Sequence, residues 1–268
     1  MKWLPEAQEA IRKVPFFVRK RVTARVEKEA RAAGRPVVSL ADVKATQQRY
    51  LKNMPREVKG YQLDACFGQS GCPSRAIDSS RLLRRIETVL KKADLLAFLR
   101  RRVGEDLKFH HEFRLTVADC PNACSQPQIK DIGIIGACLP AIAEAACSDC
   151  EACVEACREG AVRMAAGSGP RIDFNACLRC GQCIQVCPSG TLTEARGGYR
   201  VQLGGRLGRH PQLAREVPGL FSEEQVIAIV ETCLDFYKQS SAADERFAEL
   251  MTPDGFAALQ RRLSRLWK

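Results

Sequence analysis

Twelve of the fourteen cysteines stand at spacings that suit iron–sulfur chemistry. Two runs share one pattern, Cys-x2-Cys-x2-Cys-x3-Cys, and the other four cysteines form a Cys-x5-Cys pair and a distant Cys-x3-Cys pair. Thiolate sulfur is the preferred ligand of iron–sulfur clusters, and a [4Fe–4S] cluster takes four thiolates. The sequence therefore predicts three such clusters, held by Cys66, Cys72, Cys120, Cys124, Cys147, Cys150, Cys153, Cys157, Cys177, Cys180, Cys183 and Cys187.

Disulfide bonds and zinc sites are the competing uses of so many cysteines. A disulfide framework is typical of short secreted chains, and the first residues, MKWLPEAQEAIRK, contain no apolar run that resembles a signal peptide. Zinc ribbons use Cys-x2-Cys pairs without the third and fourth cysteine of each run. Both alternatives stay open but rank below iron–sulfur clusters. Cys138 and Cys233 lie outside the three sets, and we predict that both pack in the core.

The chain has 268 residues, a net charge of +11 and no apolar stretch near the ~20 residues that a membrane span requires. We expect no membrane span and a cytoplasmic location, because thiolates and clusters need a reducing compartment. Basic runs at residues 19–25, 81–92, 100–102 and 261–265 are either solvated helix faces or surfaces for an acidic electron-donor protein, a polycarboxylate cofactor or an oxyanion. Nucleic-acid binding is a minor alternative, because few aromatic residues accompany these runs.

The first fifty residues have the pattern of a small helical domain. Helices are predicted to begin at Pro5 and after Val14-Pro15, and Ser39 with Asp42 has nearly the form of a capping box for a third. Phe16 and Phe17 are predicted core residues of the second helix, with Val18, Val22 and Val26 at helical spacing. From Trp3 to Asp42 the segment resembles the small C-terminal domain of a light-independent protochlorophyllide reductase subunit. In that family the domain lies close to a tetrapyrrole.

The Cys-x5-Cys pair follows a connector predicted at residues 53–55, and its glycines allow the backbone to approach a cluster closely. We predict one basic helix over residues 80–102, and then a half-buried strand from Phe113 to Val117 that delivers Cys120. A second strand is predicted over residues 129–136. The two cysteine pairs, with Cys-Pro-Asn-x-Cys followed by an Asp-Ile-Gly strand, resemble the sirohaem and [4Fe–4S] domain of sulfite and nitrite reductases.

That resemblance implies a role for each cysteine of the split set, which comprises Cys66, Cys72, Cys120 and Cys124. The position of Cys124 is the one that bridges the cluster to the sirohaem iron, while the other three cysteines hold the cluster alone. A small oxyanion would be the substrate, bound by cationic side chains through charge-assisted hydrogen bonds. The candidates for carboxylate or substrate contacts are Arg75, Lys130, Arg206 and Arg209, and the candidate proton donors are His110, His111 and His210.

Residues 141–195 repeat one pattern twice and are similar to a bacterial-type ferredoxin with two [4Fe–4S] clusters. In such ferredoxins the fourth cysteine of each run binds the other cluster. The resemblance thus implies that Cys187 joins the first run and Cys157 the second. Arg158 replaces the proline that usually follows the fourth cysteine, which changes a turn and leaves the ligands intact.

These observations predict an α+β fold, in which a reductase-like mixed sheet with flanking helices carries a ferredoxin-like insertion and an N-terminal helical domain. The predicted domains are residues 1–54, residues 55–140 with 196–268, and residues 141–195. We favour an oxidoreductase of the sulfite or nitrite reductase type, in which electrons from the ferredoxin clusters reach sirohaem through the split set.

The alternative is a non-catalytic electron-transfer subunit with three [4Fe–4S] clusters and no sirohaem. Sirohaem reductases normally carry a further half-domain ahead of the first cysteine pair, and here the helical domain stands in its place. The helical domain, a second subunit or a second copy of the chain would then have to complete the tetrapyrrole site.

Overall fold

The computed structural model describes residues 1–14, 16–104, 106–165, 167 and 169–267, and the chain forms two compact units. The first contains residues 1–58 with a short segment that ends at Phe109, and the second contains residues 59–104 and those from 110 onward. No helix in the described part of the chain is both long and apolar enough to cross a lipid bilayer.

The first unit is a small helical domain with a short parallel strand pair. Its elements are β1 (Lys2–Trp3), α1 (Pro5–Arg12), α2 (Phe16–Ala32), β2 (Val37–Val38) and α3 (Leu40–Glu57). The predicted capping box is present, because the Ser39 hydroxyl accepts a hydrogen bond from the Asp42 N–H and the Ser39 N–H donates to the Asp42 carboxylate. Ala7, Val26, Ala30 and Val38 form its core.

Two predictions for this unit are wrong. Phe16 is 82% exposed, because it is the first residue of α2 and lies off the stripe on which Val22 and Val26 face the core. The predicted connector at residues 53–55 is part of α3, which extends to Glu57, so a proline in the sequence did not mark the end of this helix. Pro15 and the Phe17 side chain lie outside the described residues.

The second unit is built on a five-stranded mixed sheet with the strand order β3-β4-β5-β8-β9. The first three strands of that order are parallel to one another, and the last two pair antiparallel. The elements up to the second cysteine pair are β3 (Tyr61–Ala65), α4 (Ser80–Lys92), α5 (Leu95–Val103) and β4 (Phe113–Ala118). This sheet with its helices is the mixed α+β architecture that the sequence predicts.

The remaining elements include the insertion. They are β5 (Ile132–Ile142), α6 (Ala152–Ala156), β6 (Val162–Ala165), β7 (Gly169–Ile172), α7 (Gln182–Gln185), β8 (Leu192–Leu203), β9 (Arg215–Phe221), α8 (Glu223–Ser240), α9 (Phe247–Leu250) and α10 (Pro253–Leu263). The predicted capping box of α8 is present between Ser222 and Gln225. Helices α4 and α8 contact each other and the sheet, and Cys233 is fully buried in α8, as predicted.

Two local predictions for the second unit need correction. The single basic helix over residues 80–102 is two helices, because Asp94 adopts a left-handed conformation with φ of 45° and its carboxylate caps α5 through the Ala97 N–H. Strand β4 is almost completely buried rather than half-buried. It lies between β3 and β5, where Thr116 donates a hydrogen bond to the Asp64 carbonyl and needs no solvent.

The insertion grows from one continuous antiparallel ribbon. Strands β5 and β8 pair from Ile132↔Leu203 to Ile142↔Leu192, with one bulge after Leu139. Between the two strands lie both ferredoxin-type runs and the β6–β7 hairpin. Strands β5 and β8 therefore extend from the reductase-like sheet into the insertion.

Candidate functional site

The split set is assembled by two parallel strands that end side by side. Cys66 directly follows β3, and only Asp119 separates Cys120 from the end of β4, while Ala65 pairs with Val117 in the sheet. The Cys66 N–H donates to the Val117 carbonyl at 3.0 Å and extends this pairing. The carboxyl ends of parallel neighbours meet at one sheet edge, so distant parts of the sequence arrive together.

All four cysteines of the split set line one cavity of about 80 Å³, together with Phe67, Ser74, Arg75, Asp119 and Asn122. Cys120 is buried and Cys124 is exposed. Burial raises the pKa of Cys120, and the neighbouring Cys66, Cys124 and Cys72 raise it further. A buried thiol such as Cys120 becomes a thiolate readily only beside a cationic centre, which the iron of a cluster would supply.

Nitrogen donors surround the sulfurs of this cavity. The backbone N–H groups of Gly68 and Asp119 donate to Cys66 Sγ at 3.4 and 3.3 Å. The Asn122 side-chain amide donates to Cys124 Sγ at 3.0 Å. Such bonds favour the thiolate form and are typical of sulfur atoms that bind clusters.

A second, larger cavity of about 460 Å³ is lined by Cys157, Cys177, Cys180 and Cys183. Burial raises the pKa of Cys183 to about 11, and the neighbouring Cys180, Cys177 and Cys157 raise it as well. The structure thus brings Cys157 from the first run to the three leading cysteines of the second run.

Cys187 is correspondingly placed with the first run. Cys153 and Cys187 lie in an apolar cluster with Val162 and Leu192, which Cys183 and Cys157 also join, so the effect of Cys187 on the pKa of Cys153 is the more specific sign of their pairing. Burial raises the pKa of Cys153, with Cys187 and Cys147 as nearby contributors. Burial also acts to raise the pKa of Cys187, but hydrogen bonds led by the Leu192 N–H outweigh it and leave the pKa lowered. The remaining cysteine of this set, Cys150, is exposed.

The cavity of the split set and the cavity of the second run share a wall. Ser74, Cys120 and Asn122 line both of them. On the other side of the junction, the Cys138 N–H donates to the Arg179 carbonyl at 2.7 Å, and Cys138 pairs with Cys180 in an isolated β-bridge. Both contacts join residues that are distant in the sequence and hold the second run against the sheet.

Cys138 is buried, as predicted, but its position beside Cys180 was not foreseen. Gly181 has a φ of 74°, and a Cβ there would lie 3.1 Å from Cys138 Cβ. Burial raises the pKa of Cys138 to about 12, so this thiol stays protonated. The sequence offers one signal for the position of Cys138. This cysteine belongs to none of the three sets, and it lies on the strand that enters the insertion.

No group of three or more described His, Cys, Asp or Glu side chains is close enough to hold a single metal ion. A [4Fe–4S] cluster differs from such a site because its four thiolates bind four separate iron atoms. The cavities and the neighbours of each sulfur are therefore the relevant geometry here.

Of the four cationic candidates, Arg75 alone lines the cavity of the split set, and it pairs with Asp78 at 3.4 Å. Lys130 pairs with Asp64 at 2.7 Å and Arg206 with Glu249 at 3.2 Å. Arg206 follows the end of β8 that pairs with the start of β5, whereas the cysteines follow the opposite ends of β3 and β4.

The other candidates stand away from the cysteines along the chain. Arg209 and His210 are exposed in the turn between β8 and β9. His110 and His111 precede β4, and Cys120 follows it. The structure thus brings the cysteines together, and of the basic and histidine candidates in the described part of the chain it places Arg75 alone at the cavity of the split set.

The family described as "Nitrite and sulphite reductase 4Fe-4S domain" matches residues 61–268, and "Proto-chlorophyllide reductase 57 kD subunit" matches residues 3–47. The predicted resemblances to the sulfite and nitrite reductase domain and to the protochlorophyllide reductase subunit are confirmed. The fold is similar to the crystal structure of dissimilatory sulfite reductase I (DsrI), with a TM-score of 0.52 and 16% identity over 85% of this chain and 58% of that chain.

Two curated relatives have related names. The chain is 32% identical over 206 residues to the "Coenzyme F420-dependent sulfite reductase" of Methanocaldococcus jannaschii, which covers 76% of this chain and 31% of the relative. It is 27% identical over 131 residues to a subunit of the anaerobic sulfite reductase of Salmonella typhimurium, which covers 48% and 33%. The matched part is about a third of each relative's length. Since the reductase match extends from β3 to α10 and includes all three cysteine sets, this chain belongs to the nitrite and sulphite reductase 4Fe-4S domain family.

Proposed function

We propose that this chain is the iron–sulfur part of a sulfite or nitrite reductase, with three [4Fe–4S] clusters in a row and sirohaem at the end of the row. The observation that carries the proposal is the wall between two cavities. Cys120, Ser74 and Asn122 separate the cavity of the split set from that of the second ferredoxin-type run. Two clusters on either side of one layer of side chains are close enough to exchange electrons.

The proposed ligand sets follow the contacts of the sulfurs. Cys147, Cys150, Cys153 and Cys187 hold the first cluster, Cys157, Cys177, Cys180 and Cys183 the second, and Cys66, Cys72, Cys120 and Cys124 the third. When bound, such clusters take up and release single electrons, and sirohaem provides the iron that binds the oxyanion.

The exposure of the proposed ligands supports this order of the clusters. Cys150 of the first set is exposed, and an electron-donor protein can approach it there. Cys153, Cys183 and Cys120 are the buried members of their sets and keep solvent from the interior of the row. Cys124 is the exposed member of the split set and stands at the other end.

The residues around Cys124 suit a bridge to sirohaem. Its sulfur is accessible and accepts a hydrogen bond from the Asn122 side-chain amide at 3.0 Å. Phe67, next to Cys66, exposes 69% of its surface, and Arg75 supplies a cation at the cavity. An exposed aromatic ring beside a cationic group suits an apolar macrocycle that carries carboxylates.

The oxyanion substrate, the electron donor and a covering partner belong to the same proposal. One relative is named as a subunit, which supports an assembly in which a second subunit or a second copy of this chain covers the outer face of the macrocycle. The anion would be bound between that cover and Arg75, which lines the cavity of the split set.

Anaerobic purification with iron, acid-labile sulfide and visible-absorption analysis tests the proposal. We expect about thirteen iron atoms per chain, twelve in the clusters and one in sirohaem, together with tetrapyrrole bands. About twelve iron atoms without those bands would instead support the electron-transfer subunit. About eight iron atoms would contradict the proposed role of the split set.

Substitution of the proposed bridge provides the specific test. Cys124→Ser should remove the tetrapyrrole bands and alter the electron paramagnetic resonance (EPR) signal of the third cluster, while the ferredoxin-type signals persist. Cys233→Ala is the matched control, because Cys233 is buried in α8 and belongs to no set. Retention of the tetrapyrrole by Cys124→Ser would exclude the bridge.

A further inference from the structure

Asp119 is a buried acidic residue that joins the separate pieces of the split set. It stands between β4 and Cys120 and exposes 1% of its surface. An acidic side chain in such a place is costly to bury unless it makes compensating contacts. The contacts of Asp119 lead to the segments that supply Cys66 and Cys72.

The backbone of Asp119 makes three of these connections. Its N–H donates to Cys66 Sγ at 3.3 Å, across the boundary between β4 and the loop after β3. Its carbonyl accepts from the N–H groups of Ala76 and Ile77 at 2.9 and 3.2 Å, which fixes the segment that follows Cys72. One residue thus ties the segments of Cys66 and Cys72 to that of Cys120.

The side chain of Asp119 packs against the turn that contains Gly68. A Cβ added at Gly68 would lie 2.5 Å from Asp119 Oδ2, so the two residues are in close contact. The Gly68 N–H is the other backbone donor to Cys66 Sγ. The position of the carboxyl group therefore limits where this donor can lie.

Ser79 and Tyr199 are buried side chains on the inner side of the Asp119 carboxyl group. They expose 0% and 1% of their surfaces. Burial raises the pKa of Asp119 and raises that of Tyr199 to about 12, while the Ser79 hydroxyl acts in the opposite direction on both. Ser79 is therefore the common neighbour of the acid and the phenol.

The polar atoms of this site are tightly enclosed. Among the described residues, Ser79 Oγ, Asp119 Oδ2 and Tyr199 Oη are buried without a hydrogen bond of good geometry. Buried polar atoms in such a group are retained at a cost in stability, which points to a role beyond packing.

We propose that Asp119, supported by Ser79 and Tyr199, is a positioning residue that holds the Cys66 loop against Cys120 and thereby sets the reduction potential of the third cluster. The inference rests on the proposed function in one respect, namely that the split set holds a cluster. Hydrogen bonds to cluster sulfurs raise the reduction potential. Loss of the carboxyl group releases the Gly68 turn and weakens the donors to Cys66, so the potential should fall.

The test uses the full-length, cluster-loaded protein and compares Asp119→Ala with Asp119→Asn. Iron content and an EPR-monitored redox titration are the readouts, and the two ferredoxin-type clusters are internal controls for folding and loading. Asp119→Ala should lower the reduction potential of the third cluster, or the variant should lack that cluster and thus about four of the about twelve cluster iron atoms. Asp119→Asn has nearly the same shape and should restore both properties.

Three further variants keep the test decisive. Ser79→Ala and Tyr199→Phe each remove one hydroxyl and should shift the potential in the same direction by less, and they carry the test if Asp119→Ala does not fold. Asp131→Asn is the matched control, because Asp131 is equally buried but precedes β5 and contacts Arg114. Its third cluster should be unchanged.

The outcomes separate the inference from the proposed function. A wild-type protein with only about eight iron atoms would contradict the proposed function itself. A wild-type protein with three clusters, together with an unchanged third cluster in Asp119→Ala, would overturn the inference. If Asp119→Ala does not fold, unchanged potentials in Ser79→Ala and Tyr199→Phe would overturn it.

Discussion

The insertion and the split site gather cysteines in two different ways. In the insertion, Cys177, Cys180 and Cys183 are brought together by one turn and the start of α7. In the split site, the four cysteines are contributed by the ends of two strands and the loops that follow them. A turn is specified by residues that are adjacent in the chain, whereas strand ends depend on the register of the whole sheet.

This difference predicts different sensitivities to substitution. Changes within the sheet should disturb the split site even when they touch no cysteine. Substitutions in the insertion at positions where an added side chain meets no other atoms should lower stability only through the conformation of the local backbone. The contrast can be tested at a sheet position beside the split site, at the opposite end of the sheet, and at a helix that supports neither site directly.

The largest effect is expected for Gly136→Ala in β5. A Cβ at Gly136 would lie 2.3 Å from Ile77 Cγ2 and 2.6 Å from the Asp119 carbonyl oxygen. Backbone cannot move aside as a flexible side chain can, so we expect a loss of about 3 kcal/mol of stability and of the third cluster. Thermal unfolding and cluster-specific EPR provide the measurement.

Gly190→Ala is the control for that substitution in the insertion. Gly190 has a φ of 70° and no atom within 4 Å of an added Cβ. It should cost about 1 kcal/mol through backbone conformation alone and leave all three clusters loaded. Equal loss of the third cluster in both variants would remove the distinction between the two sites.

An intermediate effect, dependent on pH, is expected at Asp131, at the end of the sheet opposite the cysteines. Burial raises the pKa of this carboxyl from 3.8 to about 6, against the opposing influence of Arg246 and the Arg114 N–H. Because the folded-state pKa is the higher one, folding favours the protonated acid, and the wild type loses stability as the pH rises through about 6.

Asp131→Asn should remove that dependence. Relative to the variant, the wild type should lose about 1.5 kcal/mol of unfolding free energy between about pH 5 and pH 8. Anaerobic thermal unfolding of both proteins across this range provides the measurement. A constant difference between them would show that Asp131 keeps its ordinary pKa.

The smallest effect is expected at the start of α8. The Ser222 hydroxyl accepts a hydrogen bond from the Gln225 N–H, so Ser222→Ala should cost about 1 kcal/mol. Iron content and all three EPR signals should stay as in the wild type. A selective change in the third cluster would mean that α8 also controls the strand ends.

Sequence spacing indicated which cysteines of each run come together better than it indicated the residues that surround them. Each ferredoxin-type run is short enough for its ligand pattern to be read directly, and the caps at Ser39 and Ser222 depend on neighbouring residues in the chain. The convergence of the two split pairs was expected from family resemblance, because no local pattern specifies which strands lie side by side.

The missed features all depend on tertiary contacts or on a single backbone angle. The break at Asp94 needs a positive φ that an acidic residue adopts only in context. The exposure of Phe16 depends on which face of α2 meets the core. The places of Cys138 beside Cys180 and of Asp119 beside Gly68 follow from strand register, which alternation of apolar residues does not reveal.

The bulge in the β5–β8 ribbon has an evolutionary consequence. It falls where Leu139 pairs with Arg196 and Pro140 pairs with Glu194, so Ala195 is the extra residue at the foot of the insertion. The chain leaves the sheet and returns to it through this one pair of strands, and the contact of Cys138 with Arg179 also links the insertion to the sheet. A gene fusion at this pair of strands can therefore add or delete the whole insertion without altering the strand order of the host sheet.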